Sequence, residues 1–127
     1  RPYRILGRVI HGNELGRTIG FPTANIRLHR QVNPVKGVYA VRVRLKSGAF
    51  FNGVANIGTR PTINGVNQLL EAHLFDFQGD LYGQWLDVEL CHKIRNEMKF
   101  SCFDDLKDQI AKDVETAKNV FKTDRTL

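Results

Sequence analysis

Thr23 and Asn25 stand one residue apart behind a proline, in Pro22-Thr23-Ala24-Asn25. In extended backbone side chains alternate, so this hydroxyl and this carboxamide point to the same side. Two hard, neutral oxygens suit Mg2+ when phosphates bring the negative charge and water completes the shell. The same residue types also satisfy turn amides, and the pattern alone leaves both uses open. Just upstream, "HGNELGRTIGFPTAN" (11–25) carries Gly12, Gly16 and Gly20 with the forked cation Arg17. Glycines let a backbone approach a ligand closely, and the amides they free can face phosphate oxygens. This is not a P-loop: three residues rather than four separate Gly12 from Gly16, arginine replaces lysine, and no helical pattern follows. A glycine-rich connection without a ligand fits the spacing equally.

A further candidate is Glu71, in the otherwise apolar "LLEAHLF". Strand alternation puts Glu71, His73 and Phe75 on one face and Leu70, Ala72 and Leu74 on the other. An acid there either faces water at an edge or sits in a cleft as a general base. His73 reads as structural. His11, His29 and His92 fall in no metal-ligand spacing and read as surface residues. In "HKIRNEMKF" (92–100), Arg95, Asn96 and Glu97 precede Met98 and Phe100. Polar groups beside a soft apolar side chain can grip a flat heteroaromatic ring. A solvated loop with Met98 and Phe100 tucked under a helix is equally consistent.

The elements that must hold these residues are short strands. "YRILGRVI" (3–10) is the first. In "VYAVRVRL" (38–45), Tyr39, Val41, Val43 and Leu45 make an oily face, while Val38, Ala40, Arg42 and Arg44 make one that is partly charged. "AFFNGVANIG" (49–58), "QLLEAHLFDF" (68–77) and "QWLDVELCHKI" (84–94) follow, with turns at Lys46-Ser47-Gly48, Asn64-Gly65 and Gln78-Gly79-Asp80. The period then changes. Phe103, Leu106, Ile110, Val114, Ala117 and Phe121 form one helical stripe, predicting a helix over about residues 102–122. Ser101 and Asp104 suggest a capping box. Five or six antiparallel strands and one amphipathic helix most economically make a mainly β, closed barrel with the helix packed outside.

The 127 residues, 42% hydrophobic and 25% charged, make a single ordinary globular domain. No run approaches the ~20 apolar residues of a membrane span. Cys91 and Cys102 match neither a disulfide framework nor a zinc motif, so a cytoplasmic setting is expected. The net charge of +6 is lopsided. Residues 1–60 hold 11 Lys/Arg against one acid, and residues 61–127 hold 8 against 12. Such a basic half suits a nucleotide or a nucleic acid. The chain begins at Arg1 rather than Met, and is expected to be a piece of something longer.

"GRTIGFPTANI", "GVYAVRV", "GVANIGTRPT", "LEAHLFDFQGDLYGQWLDVEL", "KIRNEMKF" and "LKDQIAKDVETAK" together resemble riboflavin kinase over residues 3–122. The resemblance is closest to the kinase domain forming the C-terminal part of bacterial bifunctional FAD synthetases. It implies a six-stranded antiparallel Greek-key barrel with helices packed outside. It also implies ATP-dependent phosphorylation of riboflavin to FMN, with ADP as second product and Mg2+ as the metal. Thr23 and Asn25 would bind metal and nucleotide phosphates, and Glu71 would be the base. Arg95 would help hold the flavin, with Asn96 and Met98 beside it. Gly12, Gly16, Arg17 and Gly20 would close over the phosphates, and Tyr82 in "LYG" would lie near the adenine. An N-terminal FMN adenylyltransferase domain is expected in the full-length chain, with no nucleic-acid or membrane partner. Two other readings remain. One is a flavin-binding module without turnover. The other is a basic β-barrel for single-stranded nucleic acid, with Phe50 and Phe51 as its stacking pair.

Overall fold

The computed structural model describes residues 3–10, 23–28, 36–62, 65–77 and 79–123. Six strands are present: β1 (Tyr3–Ile10), β2 (Thr23–Leu28), β3 (Gly37–Leu45), β4 (Phe50–Thr62), β5 (Gly65–Leu74) and β6 (Trp85–Arg95). They close into an antiparallel barrel in the order β1-β2-β5-β4-β3-β6. Strands β3, β4 and β5 are consecutive neighbours, and β6 returns to lie beside β3. That is a Greek key. Among the described residues one helix, α1 (Phe103–Thr123), follows and packs on β3, β4 and β6.

Alternation sorts the side chains into two sets. Val41, Val43, Ala55, Ile57, Leu70, Ala72, Leu74, Leu86 and Val88 point inward and fill the barrel. Of the opposite faces, Val38, Ala40, Val54 and Phe75 meet Val114 and Ala117 of α1, with Ile110, Val120 and Phe121 around them. The sequence stripe thus describes the buried side of α1, except that Phe103 stays exposed. The expected capping box does not form. With α1 starting at Phe103, Ser101 lies one residue too early to cap, and its hydroxyl instead meets the Asp105 carboxylate at 3.4 Å.

Strand β4 runs four residues beyond its expected end, and β5 starts three residues early and ends at Leu74. The cause is the hairpin register. Thr62 pairs with Gly65, so Gly65 is the first residue of β5 rather than part of the turn. After β5 the chain crosses one end of the barrel, with positive φ at Asp76, Gly79 and Gly83 and Leu81 buried as a plug.

The two halves of the charge distribution meet on the β1-β6-β3 surface. Asp87 accepts from Arg4 and from Arg44, the latter at 3.3 Å, and Glu89 lies 3.9 Å from Arg42. Hydrogen bonding from Arg4, helped by the nearby charges, holds the Asp87 carboxyl below its usual range. Phe50 and Phe51 do not form a stacking pair. They face opposite sides of β4, and Phe51 packs edge-on against Phe77 with centroids 5.1 Å apart.

A charged tie fixes α1 to the barrel end. Arg95 donates through Nε (2.9 Å) and Nη2 (2.8 Å) to the two oxygens of Asp113, a buried residue that also accepts from Gln109 at 3.1 Å. Such a bidentate fork sets the orientation of both partners. His73 lies beneath the same helix and is buried. Burial pushes its imidazole down from 6.5 to about 4, against a smaller opposing pull from Asp113.

Two stability predictions follow from this packing. Unfolded His73 takes up a proton near pH 6.5, whereas the folded protein keeps it neutral down to about pH 4. The unfolded state therefore binds more protons in that window, so stability is complete above it and falls as pH drops through it. The expected loss from this group is about 3 kcal/mol. Urea denaturation should show a steeper loss for the wild type than for His73→Gln between the two pH values, and equal slopes would refute the assignment. Gly53 is the second site. A Cβ there would run into the His73 carbonyl oxygen, a backbone atom that cannot swing away. Gly53→Ala should cost about 1–3 kcal/mol by the same measurement, and an unchanged midpoint would contradict the contact.

Candidate active site

On the outside of the barrel, directly paired residues form a row. Asn25 of β2 is opposite Glu71 of β5, which is opposite Asn56 of β4. The row continues through Val38 of β3 to Arg95 of β6. Directly opposed residues have Cβ atoms roughly 4.5–5.5 Å apart on the same face. All of these side chains must point outward, because Ala24, Ile26, Leu70, Ala72, Ala55 and Ile57 fill the interior. Helix α1 covers the neighbouring positions Val54 and Phe75 and leaves Glu71 half-buried at its margin.

Asn25 is only 5% exposed, and its Oδ1 has no hydrogen-bond partner; the same holds for the buried Oδ1 of Asn56. Glu71 thus lies between two buried amide oxygens that lack donors. Leaving such an acceptor unmade costs about 1–3 kcal/mol, and native proteins keep few of them. Groups of this kind wait for a donor or a cation. Among the described residues, no three His, Cys, Asp or Glu side chains gather as a metal-holding group. A cation here would have to use neutral oxygens. Asn25 fits that requirement, and Thr23, whose backbone pairs with His73, is two residues before it in β2.

The other expected residues fall around this row. Gly12, Gly16, Arg17 and Gly20 lie outside the described residues, as does the side chain of Thr23. Tyr82 is 51% exposed and sits on a turn where its amide donates to Asp80 Oδ1 at 2.9 Å. That turn is held to the end of β1 by Gly83 N donating to Val9 O and Val9 N donating to Gln84 O, both 2.9 Å. The next residue of β1, Ile10, pairs with Asn25, so Tyr82 belongs to the Asn25 end of the row. Arg95 marks the opposite end, followed by Asn96 and Met98 in an irregular segment. Met98 is 49% exposed rather than tucked under the helix.

Arg95 is first a structural tie. Besides its bonds to Asp113, it donates through Nη1 to the Asn96 carbonyl at 3.0 Å, and its guanidinium lies 5.9 Å from the Phe100 ring centre. Glu97 folds back over β4, where a Cβ on Gly58 would run into its carboxylate. Two residues of this region were not evident from residue types: Asp113, hidden in the polar face of α1, and Asn56. The available signal for Asn56 was its outward parity in "GVANIG", opposite the inward Ala55 and Ile57.

Comparison with known proteins bears on the family and the fold. The family model "Flavokinase: Riboflavin kinase" matches residues 1–121. A bifunctional riboflavin kinase/FMN adenylyltransferase from Haemophilus influenzae is 76% identical over 97% of this chain, which spans 40% of that relative's length. A crystal structure described as a macrolide-efflux protein from Streptococcus pneumoniae is 38% identical, with a TM-score of 0.82, over 93% of this chain and 39% of that one. The crystal structure of riboflavin kinase from Trypanosoma brucei shares the fold at 24% identity, with a TM-score of 0.66, over 98% of this chain and 83% of that one. On its residues, its barrel and these matches, the chain belongs to the riboflavin kinase family.

Proposed function

We propose that these residues transfer the γ-phosphoryl group of ATP to the ribityl 5′-hydroxyl of riboflavin, giving FMN and ADP. The observation that carries the reading is the row Asn25–Glu71–Asn56, a carboxylate set between two buried acceptors without donors. A primary alcohol is barely ionised near neutral pH and needs a base at about 2.6–3.2 Å to take its proton as the new bond forms. Glu71 takes that proton. The hydroxyl oxygen bonds to the γ-phosphorus as the bond to the ADP oxygen breaks. Mg2+, when bound with ATP, would neutralise charge on the phosphates. Asn25 and Thr23 would hold that ion from the β2 side. Gly12, Gly16, Arg17 and Gly20 would face the phosphates, and Tyr82 the adenine. Arg95, Asn96 and Met98 would border the flavin.

Only phosphorylation is assigned to these residues. The adenylyl transfer in the relatives' name belongs, on this reading, to an N-terminal domain of a longer chain that takes the FMN onward. The pairing of Arg4, Arg42 and Arg44 with Asp87 and Glu89 leaves less free positive charge for a nucleic-acid backbone. A cytoplasmic setting suits an ATP-using enzyme whose two cysteines are exposed.

Incubation with riboflavin and Mg·ATP, followed by chromatography, should yield FMN; bound but unconverted riboflavin would leave only a flavin-binding module. Glu71→Gln should lower kcat by roughly 10²–10⁴ with little change in riboflavin affinity. Turnover near wild type in a folded variant would remove the base role. Asn25→Ala should raise the Mg2+ requirement at fixed ATP by roughly tenfold to a hundredfold. Titration of activity against Mg2+ reads this, and an unshifted curve would take Asn25 out of the metal site.

A further inference from the structure

Asn56 lies on the far side of Glu71 from Asn25. If phosphates occupy the Asn25 end and the flavin ring lies by the Asn96–Met98 segment, whose Glu97 covers Gly58 of β4, the ribityl chain must cross the outside of β4 to bring its 5′-hydroxyl to Glu71. Strands are spaced about 4.7–4.9 Å apart, so Asn56 stands one strand spacing from the base. That is the stretch where the secondary hydroxyls of the chain pass. Its Oδ1 is buried, points out of the barrel and has no donor. A secondary hydroxyl is a donor of the right kind.

We propose that Asn56 is a specificity-determining residue that accepts a hydrogen bond from a secondary ribityl hydroxyl, and so selects a polyol chain over a plain alkyl alcohol. The proposal rests on the kinase reading above. Neighbouring positions support it. Val54, two residues before Asn56, is sealed under α1, and Gly58, two residues after, is covered by Glu97. Asn56 is thus the polar outward position of β4 between two that are already covered. A site built to bond a hydroxyl discriminates against analogues that lack it, because its own polar atom is then left unmade.

The test compares riboflavin with an isoalloxazine carrying a 5-hydroxypentyl chain at N10, which keeps the reacting hydroxyl and lacks the secondary ones. The wild type should favour riboflavin in kcat/KM. Asn56→Ala should lose roughly tenfold to a hundredfold on riboflavin and change little on the hydroxypentyl flavin, so that the preference collapses. Asn56→Asp, which keeps an acceptor oxygen of the same shape, should retain the preference even though its added charge beside Glu71 slows both substrates. The ratio between substrates is the readout, which a merely structural role would not move. Equal losses on both flavins, or a preserved ratio in Asn56→Ala, would overturn the proposal. Equal use of both flavins by the wild type would overturn it while leaving the kinase reading intact. Failure of the wild type to phosphorylate either flavin would overturn the kinase reading itself.

Discussion

The pleat of β5 is the constraint on which this molecule depends. A six-stranded barrel has a narrow interior, and Leu70, Ala72 and Leu74 are the β5 side chains that fill it. Once they point inward, Glu71, His73 and Phe75 must point outward, since a shift of one residue would exchange the two sets. Closure leaves β5 with neighbours on both sides, and the same rule places Asn25 and Asn56 beside Glu71. The polar row is therefore the outer face of the same register that builds the core. A side chain cannot leave that row without unpacking the barrel.

Helix α1 completes the division. Its apolar side seals Val38, Ala40, Val54 and Phe75 against Val114 and Ala117, and His73 is neutral under the same roof. The Arg95–Asp113 fork stops the helix from sliding across the row. The result is a rigid wall beside a polar strip whose acceptors Asn25 and Asn56 lack donors. Keeping acceptors in that state works against stability, which marks the strip as a place where folding and function make different demands.

Much of this was legible in the sequence. The alternation in "VYAVRVRL" separates core from surface correctly, with Tyr39, Val41, Val43 and Leu45 inside and Arg42 and Arg44 in surface ion pairs. The helical stripe identifies the buried side of α1. What failed to show was register. An Asn-Gly pair ordinarily fills both central positions of a two-residue hairpin turn. Taken so at Asn64-Gly65, it would set Gly58 opposite Glu71. The pairing of Thr62 with Gly65 moves the partner to Asn56. One turn residue therefore decides whether Glu71 has a glycine or a carboxamide beside it. Asp113 was hidden for another reason: an acid on a charged helix face looks like any solvated residue until its partner from a distant strand is known.

The chemistry of the row also explains why its flanking groups are amides. A carboxylate at position 25 or 56 would hold a cation more tightly, but it would repel a triphosphate at short range. An amide oxygen accepts a donor or completes a cation's shell without that repulsion. On the proposed reading such a site would bind its metal weakly until the nucleotide arrived, since phosphate would supply the charge that the protein withholds. Metal and nucleotide would then enter as one ligand. Neutral oxygens also leave Glu71 as the single carboxylate of the row, so on the proposed reading the proton of an incoming hydroxyl would have one place to go. A barrel strand is a suitable mount for such a group, because its position is set by backbone pairing on both sides rather than by a loop.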